Sequence, residues 1–291
     1  MDQHKHDQRR GMILGLLGVL VFSGSMPATR AAVAAFDPAF LTAARALIAA
    51  AAGAVPILLL RSRPAREDIR SLALVSLCVV LAFPLLSAMA LTHISSPRAI
   101  LFTGLLPVVT ATWSVLRGGE RPRAGFWLFA FAGAALLIGY ALLNGAATGS
   151  GMLGDALMLA SIILCGLGYA EGAVLTRRMG GWQVICWALL LAAPAMALLA
   201  WWLWPATLTH VAPSAWLGLA YVSLFSMLIG FVFWYRGLAL GGAAAVGQLQ
   251  LLQPIMGFAV SAVLLGEQIG WPIVAAALCL LLCVGGARRF A

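Results

Sequence analysis

The chain has 291 residues, of which 63% are hydrophobic and 9% charged, with a mean hydropathy of +1.01 and a formal net charge of +9. A soluble domain carries about 25% charged residues, so this composition excludes a water-soluble fold and predicts an all-α integral membrane protein. The positive charge does not indicate a nucleic-acid binder, because there is no polar domain to carry a basic stripe; in a membrane protein, excess Lys and Arg marks the cytoplasmic loops.

A bilayer core of about 30 Å needs about 20 apolar residues per helix. Unpaired backbone groups are too costly in lipid, so continuous apolar runs must be helices. Ten are predicted, over roughly 11–34, 39–60, 71–92, 97–116, 126–143, 154–176, 182–204, 214–236, 242–266 and 270–287. The first follows "HKHDQRRG", which has the look of a signal-peptide n-region. No small-residue cleavage site stands out after it, so it is predicted as a spanning helix. The connections are short, and no soluble domain fits between them.

The loops carry their own pattern. With the N-terminal tail (Lys5, Arg9, Arg10) in the cytoplasm, every second loop is cytoplasmic. Those loops and tails then hold every basic residue except Arg30, Arg45 and Arg98. The opposite loops, such as "NGAATGSG" (144–151) and "PATLTHVAPS" (205–214), hold none. This alternation predicts ten spans with both termini inside. Trp127, Trp182, Trp201, Trp202, Trp204, Trp216 and Trp271 fall near predicted helix ends, as expected of headgroup-level anchors.

The chain repeats itself. "PVVTATWSVLRGGE" (107–120) and "PIMGFAVSAVLLGE" (254–267) both run from a proline to a Gly-Glu pair, 147 positions apart. The ungapped match reaches back to Ala90/Gly237 and Leu91/Leu238, and forward to Gly139/Gly286. With a short gap, "GMILGLLGVLVFSG" (11–24) also resembles "GDALMLASIILCGLG" (154–168). The predicted units are therefore residues 1–148 and 149–291, five helices each, integrated in one membrane domain. Five is odd, so the halves enter the membrane from opposite sides. Inverted repeats are the signature of secondary transporters, with the substrate held near the midplane.

Candidate site residues follow in chain order. The first span offers Ser23, Ser25 and Met26, with Arg30 at its outer end. The second carries Arg45. The third carries Ser76, Phe83 and Ser87, with Pro84 as a hinge candidate. The fourth begins near Arg98 and places Thr103, Pro107, Thr110 and Ser114 on one helical face. The sixth has Tyr169 and Glu171; the eighth has Ser223, Ser226, Gly230 and Trp234. The ninth repeats the fourth with Gln250, Pro254, Gly257 and Ser261. Pro107 and Pro254 are further hinge candidates, since proline frees a carbonyl and favours a kink; a static kink is the alternative.

Small polar groups among aromatic walls suit a ligand with an apolar ring and a polar head. Packing through small residues and Ser/Thr hydrogen bonds is the alternative for the same positions. Charges inside the bilayer are paired or functional. Arg30, Arg45 and Arg98 can snorkel, pair with Asp37, or hold a substrate carboxylate. Glu171 is a proton site, an anchor for an amine, or a partner of Arg177 or Arg178.

The Pro-to-Gly-Glu helix once per five-helix half resembles the EamA group of the drug/metabolite transporter superfamily. So do "DPAFLTAARALIAA" (37–50), with Arg45, and "LTRRM" (175–179). The first repeat departs from the second after its glutamate, with "GGERPR" against "GEQIGW". Over the whole chain the similarity is greatest to the branch of bacterial aromatic amino-acid exporters. The resemblance implies export of aromatic amino acids, or of similar small metabolites, across the bacterial inner membrane by alternating access.

Efflux of amphipathic or cationic drugs is the second reading, and a channel is the reading from another class. A membrane enzyme is disfavoured, because intramembrane acids are scarce and His4, His6, His93 and His210 lie in the tail or outer loops. There is no GxxxxGK[ST] stretch, so an ATP site of that type is not expected. The five cysteines lie inside apolar runs without a CxxC pair, and neither metal nor cofactor is expected.

Overall fold

The computed structural model describes residues 2–118, 123–145, 149–241, 246, 248–288 and 290, and all regular structure among them is helical. Seven helices are long and apolar enough to cross a bilayer: His6–Val33, Pro38–Leu59, Arg66–His93, Ser96–Leu116, Gly151–Met179, Gly181–Trp202 and Pro213–Leu238. Shorter apolar helices cover Ala124–Gly133, Gln253–Leu265 and Trp271–Cys283 and overlap the remaining three predicted runs.

Several long helices are jointed. The first is α1 (Asp2–Ser23) followed by α2 (Ser25–Val33). Helix α3 (Pro38–Leu59) starts cleanly: Asp37 accepts from the N–H groups of Ala39 (2.8 Å) and Phe40 (3.1 Å), and Pro38 occupies the first turn. The third predicted run comprises α4 (Ile69–Val75), a π-helical segment (Ser76–Ala82) and α5 (Phe83–His93). The fourth comprises α6 (Ser96–Thr103) and α7 (Leu106–Gly118). Then come α8 (Ala124–Gly145), α9 (Gly149–Met179) and α10 (Gly181–Trp202). The eighth run comprises α11 (Pro213–Ala220), a second π-helical segment (Tyr221–Ile229) and α12 (Gly230–Gly241). A 3₁₀ turn (Gln248–Leu252) leads into α13 (Gln253–Leu265), and α14 (Trp271–Arg288) follows.

The joints recur at the sequence offset. Shifting Tyr221–Ile229 back by 147 gives 74–82, which covers the first π segment. The break at Gly104–Leu105 shifts onto 251–252, inside the 3₁₀ turn. π and 3₁₀ segments interrupt the regular ladder and mark functional joints. Pro107 and Pro254 each stand second in the helix that follows a joint. Pro84 likewise stands in the first turn after the π segment. All three prolines thus stand where one helical segment passes into another, and the third and fourth runs stay helical through these joints.

Packing has the same recurrence. Helices α1 and α2 lie along α12 and α11, while α5 and its π segment lie along α9. Moving five runs along the chain exchanges these two pairs. Helix α3 packs on α10 and α8 on α14, each helix meeting its own counterpart. The α1–α12 contact is a backbone approach: a Cβ added to Gly237 would stand 2.7 Å from Gly15 N and 3.0 Å from Gly11 O. The glycines of the first span thus pack inside the chain.

The exterior is apolar. Leu58, Leu59, Val263 and Leu282 are exposed, as are Trp201, Trp202 and Trp271 at helix ends. In water so continuous an apolar surface would aggregate; in lipid it is the solvated face.

Candidate functional site

A small pocket of about 20 Å³, room for about one water molecule and partly open to its surroundings, lies where α2, α3, both π segments, α9 and the start of α13 converge. Its wall is built from Phe22, Met26, Phe83, Tyr169, Met227 and Phe231, with Val79, Pro84 and Leu106. Its polar groups are Ser25, Ser226, Gln253 and Arg45. Each π segment widens one turn of its helix, and both border the cavity, through Val79 and through Ser226 and Met227. A widened turn breaks helical phase and presents backbone and small side chains inward, an arrangement frequent at functional sites.

The aromatic wall is self-supporting. Phe231 sits edge-on to Phe22 (centroids 5.0 Å apart) and to Tyr169 (5.8 Å). Trp234 backs both Phe22 and Tyr169 at 6.3 Å. Edge-to-face contacts fix ring orientation and so hold the cavity's shape. Ser25 and Ser226 hydrogen-bond to each other at 2.7 Å and tie α2 to the second π segment. Ser76, at the head of the first π segment, donates to Ala188 O on α10 at 2.8 Å. Ser223, 147 residues on, donates to Leu219 O at 2.6 Å.

Of the residues singled out from sequence, Ser25, Met26, Phe83, Pro84, Tyr169, Ser226 and Arg45 line the pocket. Ser23, Ser87, Thr103, Trp234 and Gln250 are buried but lie outside its wall. Ser87 donates to Pro84 O (3.2 Å) and Thr103 to Ile100 O (2.7 Å), each within its own helix, and Ser23 donates to Val19 O (2.7 Å) with Gln253 O of α13 3.5 Å away. Gln250 keeps an unpartnered Nε2 and Trp234 an unpartnered Nε1. Thr103 and Pro107 are buried and Thr110 and Ser114 half-buried, on either side of the turn at Gly104–Leu105 that separates α6 from α7. Phe22, Leu106, Met227, Phe231 and Gln253 were not legible as wall residues. Only their clustering near the joints would have signalled them, and the joints leave no periodicity to follow.

The charged candidates separate. Arg98 makes a two-pronged pair with Asp155 at the start of α9, with Nε to Oδ1 at 2.7 Å and Nη2 to Oδ2 at 2.5 Å. Its guanidinium also lies 6.0 Å from the Tyr140 ring centroid. Arg30 donates to Leu91 O, and Asp37 caps α3, so Asp37 serves neither arginine. Arg178 pairs with Asp68 at 3.1 Å. Glu171 is buried on α9, two residues past Tyr169. Arg45 is 3% exposed and its Nε has no partner.

The repeated Gly-Glu has a local explanation in the second half. Gly266 ends α13 at φ 63°, the left-handed conformation a glycine adopts without strain. The turn brings Glu267 back, where it accepts from Ser261 Oγ and, at 3.2 Å, from Ser96 N–H. A carboxylate thus satisfies an unpaired amide at the start of α6 and closes the end of α13 onto α6. Glu120, its counterpart in sequence, lies outside the described residues.

Comparison with known proteins agrees with this architecture. The model of the EamA-like transporter family matches twice, over residues 9–144 and 152–287. A protein of Bacillus subtilis (strain 168) described as uncharacterized transporter YdeK is 57% identical over 282 residues, 97% of this chain and 98% of that one. A crystal structure 21% identical in sequence superposes with a TM-score of 0.66 over 96% of both chains and has the same fold.

Proposed function

The chain belongs to the EamA-like transporter family, and from that footing we propose that it exports aromatic amino acids across a bacterial cytoplasmic membrane by alternating access. It spans the membrane ten times, with both termini in the cytoplasm, as two inverted five-helix halves. The basic loops, the joints recurring at an offset of 147 and the self-exchanging helix contacts support this arrangement. Inversion makes the outward-open and inward-open forms near-equivalent, so a central site can face either side.

The observation that carries the substrate class is the cavity wall. It combines the rings of Phe83, Tyr169 and Phe231 with the polar groups of Ser226, Gln253 and Arg45. The pocket of about 20 Å³ must widen to admit such a ligand; its rings then suit an aromatic side chain and its polar groups the charged head of an amino acid.

Counterflow in proteoliposomes tests the reading. Vesicles loaded with unlabelled phenylalanine or tryptophan should accumulate the labelled amino acid transiently, and aromatic but not small polar amino acids should compete. Absence of accumulation by folded protein, with controls active, would exclude aromatic amino acids as cargo.

A further inference from the structure

Arg45 lies seven residues into α3, about 10 Å along the helix at 1.5 Å per residue. A charge at such depth is costly unless it is compensated. The other arginines of the apolar segments have partners: Arg30 has the Leu91 carbonyl and Arg98 has Asp155. Arg45 lines the central cavity, is 3% exposed, and leaves its Nε without a hydrogen bond. Asp37, the acid on its own helix, is committed to the cap. The hydroxyls of Ser25 and Ser226 in the same wall share one hydrogen bond with each other. The pocket therefore holds a buried guanidinium whose Nε is unsatisfied, in a wall of rings and thioethers.

We infer that the substrate itself supplies an anion here: Arg45 binds the carboxylate of a monoanionic or zwitterionic ligand whose apolar body rests on Tyr169, Phe83 and Phe231. A guanidinium presents paired N–H donors in a planar fork that matches a carboxylate. One arginine balances one negative charge, so a monocarboxylate fits better than a phosphate dianion. The proposal rests on this cavity being the transport site, and it excludes cationic amines as preferred cargo.

The test is ligand-induced thermal stabilisation of the purified full chain. The probes are phenylalanine, phenylpropionate (carboxylate without amine) and phenethylamine (amine without carboxylate), with indole and aliphatic counterparts of each. Carboxylate-bearing probes should raise the melting temperature and phenethylamine should not. Arg45→Gln should abolish that rise while leaving the ligand-free melting temperature equal or higher, because a buried charge with an unsatisfied Nε has been removed. Arg45→Lys keeps the charge but loses the fork, and should weaken apparent affinity about tenfold.

If only non-aromatic carboxylates stabilise the protein, the carboxylate site stands and the aromatic cargo falls. If amines stabilise it as well as carboxylates do, or no carboxylate stabilises it, the assignment of Arg45 is overturned. The same holds if Arg45→Gln lowers ligand-free stability and leaves the carboxylate effect intact. The ligand comparison on the unmodified chain decides the matter even where a variant does not fold.

Discussion

Arg98 and Arg45 show how differently two buried arginines can serve one membrane protein. Arg98 reaches Asp155 with both prongs of its fork, and both side chains are largely buried, at 12% and 11% exposure. An exposed ion pair contributes about 0–1 kcal/mol, while breaking a fully buried one costs about 3–5 kcal/mol. The half-shielded pair belongs between them. Arg98→Ala and Asp155→Ala should each destabilise the protein, and a double-mutant cycle of unfolding in detergent should give a coupling of about 1–3 kcal/mol. Additive effects would mean that the pair is incidental.

The sequence carried part of this. Apolar flanks made all three intramembrane arginines conspicuous, but Asp37 was the obvious partner by proximity. Asp155, 57 positions from Arg98, becomes its partner only through the packing of α6 on α9.

At the level of elements, the seven long apolar helices were legible because lipid demands length and hydrophobicity. The joints inside them were not. A π turn or a 3₁₀ turn leaves no mark on an all-apolar run, yet it re-aims every residue beyond it. Tyr169, on the unbroken α9, lines the pocket, whereas Thr103 and Gln250, both at joints, lie outside its wall. The Gly-Glu repeat stood out as a motif, but its role required the turn at Gly266 and the amide of Ser96. If Glu267 latches α13 to α6, then Glu267→Ala should loosen that end. A cysteine at Ser96, buried in the structure, should react with an impermeant maleimide from outside at least tenfold faster in this variant. Glu267→Gln, whose amide oxygen still accepts, should fall between. An unchanged rate would reduce the contact to a helix cap without a closing role.

For the whole molecule, the account depends on two halves of one design inserted in opposite directions. On that proposal the joints of both halves gather around one pocket, and helices α3, α10, α8 and α14 meet their own counterparts. The proposal also assigns a side to every loop. Arg123 and Gly270 are exposed and 147 positions apart, one after each Gly-Glu. The decisive measurement is sided labelling of a single cysteine placed at either position, in a chain whose five native cysteines are replaced. The account predicts that the cysteine at 123 reacts only from the cytoplasmic side and the one at 270 only from the outer side. Reaction of both from the same side would contradict the inversion, and with it the alternating-access mechanism built on it.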